Sequence, residues 1–346
     1  MKIAQLVHST SLSTGGVAKA VIDLENELTA EGYDNETFER RDSPDNAEIN
    51  FVIAHGLWQW PGVVAHNLWR QRKIPYVIYP HGMLDPWFKE NYPLKHLKKQ
   101  IYWWLKQGKI LKNAHAVCFT TEEERRLASK TFSPYECREI VTGLGICSPP
   151  ENEKNQIEHF QKSFPETRNK KRLLYMGRIH PKKGLGLLID SFGRQANEEH
   201  QLIIAAPIDG KCKHYRWLRK KAEKFPRAKI LWAGMLEDSL KWGAIRSSEA
   251  LILPSHQENY GMVVAEACSV GTPVLITRKV NLYREILEYD AGFATQDTQE
   301  GIDDLVGQWI SGKIQTKKRN ARKCFEEKLT IHQTMQKIVK LAIDVE

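Results

Sequence analysis

The feature that most restricts this chain is an alternation of short apolar runs with amphipathic stretches that proceeds, breaks and begins again. KIAQLVH is a buried strand, and STSLSTGGVAK leads from it into a helix with apolar positions Val17, Val21, Leu24 and Leu28. Gly32 ends that helix, and residues 33 to 50 are polar and poorly patterned. FVIAHGLWQWPG, IPYVIYPHGMLDPW, AHAVCFT and REIVTGLGI each carry a further short strand, and Thr121 with Glu124 forms a capping box for the helix EEERRLASKTF. The run SPPENEKNQIEHFQKSFPETRNKKR then mixes prolines with dense charge and has no strand pattern until Leu173, which marks a domain boundary. The alternation restarts with RLLYMGR, GLGLLIDSFGRQ, QLIIAAP, HYRWLRKKAEKF, AKILWAG and LEDSLKWGAIRSS. Such a pattern predicts parallel sheets with helices on both faces, so the fold class is α/β with two doubly wound domains. The last helix carries Ile331, Met335, Ile338, Val339 and Ala342 at helical spacing; this stripe needs a partner surface that the residues alone do not identify.

A length of 346 residues with 41% hydrophobic and 27% charged residues allows two sizeable cores. The six cysteines are far apart, without a CxxC pair, and read as reduced thiols of a cytoplasmic protein rather than a zinc site or disulfide framework. The opening KIAQLVH is too soon interrupted for a signal peptide, and no apolar run approaches membrane-spanning length. The formal charge of +9 favours an anionic partner: nucleic acid, anionic lipid or a phosphorylated substrate.

Much of that charge lies in PLKHLKKQIYWWLKQGKILKN, residues 93 to 113, with six lysines and no acid. At about 100° per residue, Lys95, Lys98, Lys99, Lys106 and Lys109 share one side, and Leu94, Leu97, Ile101, Trp104 and Leu105 a neighbouring one. This fits a basic amphipathic helix on an anionic bilayer, or alternatively a core-facing helix with a solvated lysine face. It lacks clustered arginines and any nucleic-acid reading motif, so no nucleic-acid partner is expected.

The stretch ALILPSHQENYGMVVAEACSVGTPVLI, residues 250 to 276, reads as strand, loop, helix, strand. Glu258 falls just before the helix that Gly261 opens, and Glu266 roughly 7 Å along its axis. A diphosphate seated on the free N–H groups of that helix start would have a carboxylate on either side to accept hydrogen bonds from sugar hydroxyls. The plainer alternative is one surface glutamate and one half-buried helical glutamate. Arg178 and Lys183 in GRIHPKKG lie on a strand-end loop, two cations of the kind a diphosphate leaving group needs, though ordinary loop cations are common. His55-Gly56 and His81-Gly82 sit at strand ends, where active-site groups collect in doubly wound sheets. Gly15 and Gly16 allow a loop to approach a ligand closely or simply make a tight turn; they do not form a GxGxxG fingerprint.

Together these residues resemble the retaining glycosyltransferases of family 4, including the bacterial polysaccharide type that HGLW and PHGMLDPW suggest. The match spans almost the whole chain: Gly15-Gly16, His81-Gly82, Gly177-Arg178 with Lys183-Gly184, Pro254-Ser255, the Glu258-x7-Glu266 pair and Gly271-Thr272-Pro273-Val274. The resemblance implies the GT-B fold, two Rossmann-like domains facing a central cleft: residues 1–148, a linker at 149–171, and 172–327. The C-terminal helix, about 328–346, would cross back to complete the first domain. Arg178 and Lys183 would bind the donor diphosphate, Glu258 the donor sugar, and Glu266 the ribose. The backbone of Asn259, Tyr260, Gly261, Met262 and Val263 would complete the donor contacts, His81 would face the sugar near C6, and Gly15-Gly16 the diphosphate and acceptor. Ala205 to Gly210 and Thr142-Gly143-Leu144-Gly145 depart from the family pattern, at the loop expected to touch the base and near the linker respectively.

The expected activity is hexosyl transfer from a nucleotide-sugar, with UDP-glucose favoured, to a glycan or lipid-linked sugar in polysaccharide biosynthesis, with no cofactor and no metal. A lipid-linked acceptor would bring the cytoplasmic protein to the inner face of the membrane. Competing readings are a sugar-nucleotide epimerase of the same architecture and a non-catalytic protein binding membrane or nucleic acid.

Overall fold

The computed structural model describes residues 1–11, 16–40, 42, 44 and 48–344. The chain divides into two compact units, Met1–Cys147 with Leu329–Glu346, and Ser148–Lys328.

The first unit is built on strands β1 (Lys2–Leu6), β2 (Asp34–Phe38), β3 (Phe51–His55), β4 (Tyr76–Tyr79), β5 (Ala116–Phe119) and β6 (Glu139–Val141). All pair in parallel, in the order β2-β1-β3-β4-β5-β6. β3, β4 and β5 are buried at every position, which is why each reads as an unbroken apolar run rather than an alternation. β2 escapes a reading from pattern because DNETF is an edge strand in which only Phe38 is buried; its ladder with β1 makes it a strand. The helix Ile331–Ile343 belongs to this unit: Ile331, Met335, Ile338, Val339, Leu341 and Ala342 share one core with Ile3, Leu24, Phe51 and Tyr79. The return is stitched by Ile146 N–H to the Leu329 carbonyl (2.9 Å) and Ile331 N–H to the Ile146 carbonyl (3.0 Å). Gly145, at φ +63°, is required there, since a Cβ would lie 2.5 Å from the Thr330 carbonyl.

The second unit holds β7 (Lys171–Met176), β8 (His200–Ala205), β9 (Lys229–Gly234), β10 (Ala250–Leu253), β11 (Val274–Thr277) and β12 (Gly292–Thr295). They also pair in parallel, in the order β12-β11-β10-β7-β8-β9. The chain therefore winds outward from β7 in one direction and from β10 in the other. Ligands of such sheets bind outside the carboxyl ends of the strands where the winding reverses, here between β7 and β10. Residues 149–171, whose charge and prolines read as a linker, hold a helix, Glu153–Ser163, within this unit. Its Gln156 carbonyl approaches Gly243 so closely that a Cβ would come within 2.1 Å.

Residues 93 to 112 form one helical run, Pro93–Tyr102, a π-turn Trp103–Gln107, then Gly108–Lys112. Trp103, Gln107, Ile110 and Leu111 face the core. Leu94, Leu97, Ile101, Trp104 and Leu105 do not; they are exposed, so the core-facing alternative does not hold for them.

Candidate active site

The switch point of the second sheet is where the predicted donor residues meet. β7 ends at Met176, and the loop after it carries Arg178, exposed, and Lys183, buried in the turn Pro181–Lys183. The loop after β10 carries Gln257 and Glu258. The two loops are tied by backbone and side chain: His256 N–H donates to the Lys182 carbonyl (2.7 Å), and Lys182 Nζ to Gln257 Oε1 (3.2 Å). Gly184, at φ +67°, permits the approach, because a Cβ there would sit 1.9 Å from the Pro254 carbonyl oxygen. On this platform Lys183 Nζ pairs with Glu258 Oε2. Glu258 is itself fixed by its backbone, donating to the Lys279 carbonyl (2.9 Å) and accepting from Asn281 N–H (3.1 Å).

Burial, with Lys182 and Arg178 nearby, pulls the Lys183 ammonium down to about 7.

Two residues beyond Glu258, Tyr260 is buried, and Asn259 Oδ1 accepts from Asn281 Nδ2 at 3.4 Å. Gly261, at φ +75°, is the N-cap of the helix Met262–Ser269 and has no side chain to satisfy the first N–H groups, with Met262 and Val263 in that first turn. An anion is the natural partner for such an end. Glu266, on the same helix, accepts from Lys241 Nζ at 2.9 Å. Both carboxylates singled out in the sequence are therefore ion-paired, each to a lysine from a different element. Lys241 and Lys182 went unnoticed, since a lone lysine in LEDSLKWGAIRSS or a second one in PKK carries no distinguishing spacing.

Gly16 and His81 lie in the first unit. Gly16 is the exposed first residue of the helix Gly16–Ala30, and Gly15 falls outside the described residues. His81, just past β4, holds a left-handed backbone at φ +49°. Its Nε2 meets His55 Nδ1 at 3.0 Å, and His55 Nε2 meets Gln5 Oε1 at 3.1 Å. Gln5 Nε2 donates to the Val21 carbonyl (3.3 Å), which can only accept, so Gln5 Oε1 must face His55 as an acceptor. Burial keeps both imidazoles neutral, His81 at about 4 and His55 well below the usual histidine range. The hydrogen-bond chain then assigns the tautomers: His55 donates from Nε2, His81 donates from Nε2, and His81 Nδ1 is left as an acceptor.

The turn behind His81 has an anchor the sequence did not reveal. Thr121 Oγ1 caps its helix by accepting from Glu124 N–H (3.0 Å), as expected. The Glu124 side chain, however, does not reciprocate within a capping box. It is buried, and accepts from Gly82 N–H (2.5 Å) and Thr120 N–H (2.8 Å), so it holds the His81-Gly82 turn.

Among the described residues one group of three potential metal ligands sits together, Glu27, Glu31 and His332, and it includes none of the expected site residues. No helix among them is long and apolar enough to cross a membrane.

Residues 156–324 match the family described as glycosyl transferases group 1, and residues 40–141 the glycosyl transferase 4-like domain. Among curated proteins the chain is similar to mannosylfructose-phosphate synthase of Agrobacterium fabrum, 27% identical over 69% of this chain and 56% of that protein. It is also similar to O-antigen chain mannosyltransferase C of Escherichia coli, 20% identical over 62% of this chain and 57% of that one. The matches thus span little more than half of these relatives. Among solved structures, HepE of Anabaena in complex with UDP and glucose superposes with a TM-score of 0.75 at 16% identity, over 99% of this chain and 100% of that one. A glycosyltransferase from Rickettsia africae gives 0.77 at 14%, over 99% and 98%. Fold and relatives together define the GT-B class. The chain belongs to the GT-B glycosyltransferases of the family 4 type.

Proposed function

We propose that the protein is a retaining glycosyltransferase that moves a hexosyl unit from a nucleotide-sugar, UDP-glucose, to a glycan or lipid-linked sugar in polysaccharide biosynthesis. The observation that carries this reading is the Lys183–Glu258 pair on two loops at the switch point of the second sheet, next to an uncapped helix start. A bound diphosphate takes over Lys183 from Glu258, which frees the carboxylate to accept from sugar hydroxyls. Arg178, Lys183 and the first N–H groups of Met262–Ser269 meet the charge that grows on the departing phosphate. Each such donor is worth roughly 3 to 4 kcal/mol in the transition state. The acceptor hydroxyl attacks from the face the diphosphate leaves, and that phosphate takes its proton, so no strong general base and no metal is needed. Glu266 binds the ribose after Lys241 yields or shares it. In the first unit, His81 Nδ1 is the acceptor left open to a ligand hydroxyl.

HepE, seen with UDP, glucose and UDP-glucose, favours a uridine donor. The mannosyl names of the A. fabrum and E. coli relatives favour GDP-mannose as the second reading. Calorimetric titration with UDP, GDP and ADP separates them. In turnover assays, Lys183→Ala and Glu258→Ala should each lower kcat by about 10²–10³-fold; near wild-type turnover in either variant would remove the assignment.

A further inference from the structure

We infer that the helical run from Pro93 to Lys112 is a docking face for an anionic phospholipid bilayer, on which the protein lies without crossing it. The large hydrophobic residues exposed in this chain are concentrated here: Leu94, Leu97, Ile101, Trp104 and Leu105 on the helix, with Phe88 and Tyr92 just before it. The spacing of three, four and four from Leu94 through Leu97 and Ile101 to Leu105 makes one stripe along the helix. A stripe of that size left in water marks a surface with a partner. The charge says which partner. Residues 88 to 112 contain seven lysines against the single acid Glu90, and Lys95, Lys98, Lys106 and Lys109 are exposed beside the stripe. A second copy docked symmetrically would bring lysine row against lysine row, which like-charge repulsion opposes. A bilayer instead accepts the apolar stripe among its acyl chains, the aromatic rings of Trp104 and Tyr92 at the headgroups, and the lysines on its phosphates. Trp103, Gln107, Ile110 and Leu111 hold the opposite face of the helix to the first core, so the stripe is presented rigidly.

This rests on the exposed face alone, so it can fail while the transferase reading stands. The test is co-sedimentation of the full chain with vesicles of phosphatidylcholine alone or mixed equally with phosphatidylglycerol, in low and high salt. Binding is expected to the anionic vesicles in low salt and to weaken in high salt. Each lysine neutralised should cost about fivefold in affinity. A triple variant Lys95→Glu, Lys98→Glu, Lys106→Glu should lose at least about 100-fold by the same increment, and Leu97→Glu, Ile101→Glu, Leu105→Glu should also release the protein. Circular dichroism and UDP titration of both variants report whether they remain folded. No binding in low salt, equal binding to both vesicles, or unaltered binding by the folded variants would overturn the inference. So would sedimentation equilibrium showing a dimer that the leucine-stripe variant dissolves, which would assign the face to a second copy.

Discussion

Lys183 is the residue on which the proposed chemistry turns, and its surroundings make a pH-dependent prediction. In the free protein its pKa is held at about 7, so above that pH much of it is neutral. A diphosphate favours the charged form and raises the pKa again. Nucleotide binding at pH 8 should therefore take up a proton, approaching one per site, and the uptake should vanish near pH 6, where Lys183 is already charged. Calorimetry in buffers of different ionisation enthalpy measures this directly; Lys183→Ala should abolish the uptake, and none in the wild type at pH 8 would contradict the assignment. Glu124 makes a second prediction at this scale. Its carboxylate satisfies buried N–H groups of Gly82 and Thr120, so Glu124→Ala strands them at a cost of about 1–3 kcal/mol each. Chemical denaturation should show that loss, and kcat should fall as the His81 turn loosens.

At the scale of elements, the site depends on how closely the loop after β7 meets the end of β10. Gly184→Ala places a methyl group 1.9 Å from the Pro254 carbonyl oxygen at a backbone angle that alanine avoids. It should cost more than about 1 kcal/mol from the backbone alone and weaken UDP binding by parting the two loops. Thermal melts and titration check both effects. These elements were legible in the sequence where burial wrote them: β3, β4, β5 and β10 are covered on both faces and show as apolar runs. The edge strand β2 and the helix Glu153–Ser163 were not, because partner contacts rather than their own composition hold them in place. At the site, Lys183 and Glu258 could be found because strand-end loops draw ligand-binding groups. Their pairing, the Glu124 anchor and the Lys241 contact are tertiary, and no spacing along the chain encodes them. The helix at 93 to 112 could be read as basic and amphipathic, but which face the core would take was settled only by packing, with Trp103 and Gln107 turned inward through a π-turn.

At the scale of the whole molecule, the first unit is finished by the chain's final helix. Ile331, Met335, Ile338, Val339 and Leu341 are all buried in its core. At about 1.5–3 kcal/mol per buried side chain, their loss rivals the whole stability of a domain, about 5–15 kcal/mol. A chain ending at Lys328 should therefore lose the cooperative unfolding transition of the first unit in scanning calorimetry while the second unit, Ser148–Lys328, keeps its own. The second unit is where the central claim lies, that its switch-point loops form a nucleotide-sugar site. The direct measurement is a calorimetric titration of the full chain and of Lys183→Ala with UDP, GDP and ADP. One UDP bound per chain, more tightly than GDP or ADP and at least about tenfold more weakly in Lys183→Ala, is the predicted result, from a lost charged contact of roughly 1.5–3 kcal/mol. No nucleotide bound, or the same affinity in Lys183→Ala as in the wild type, would contradict it.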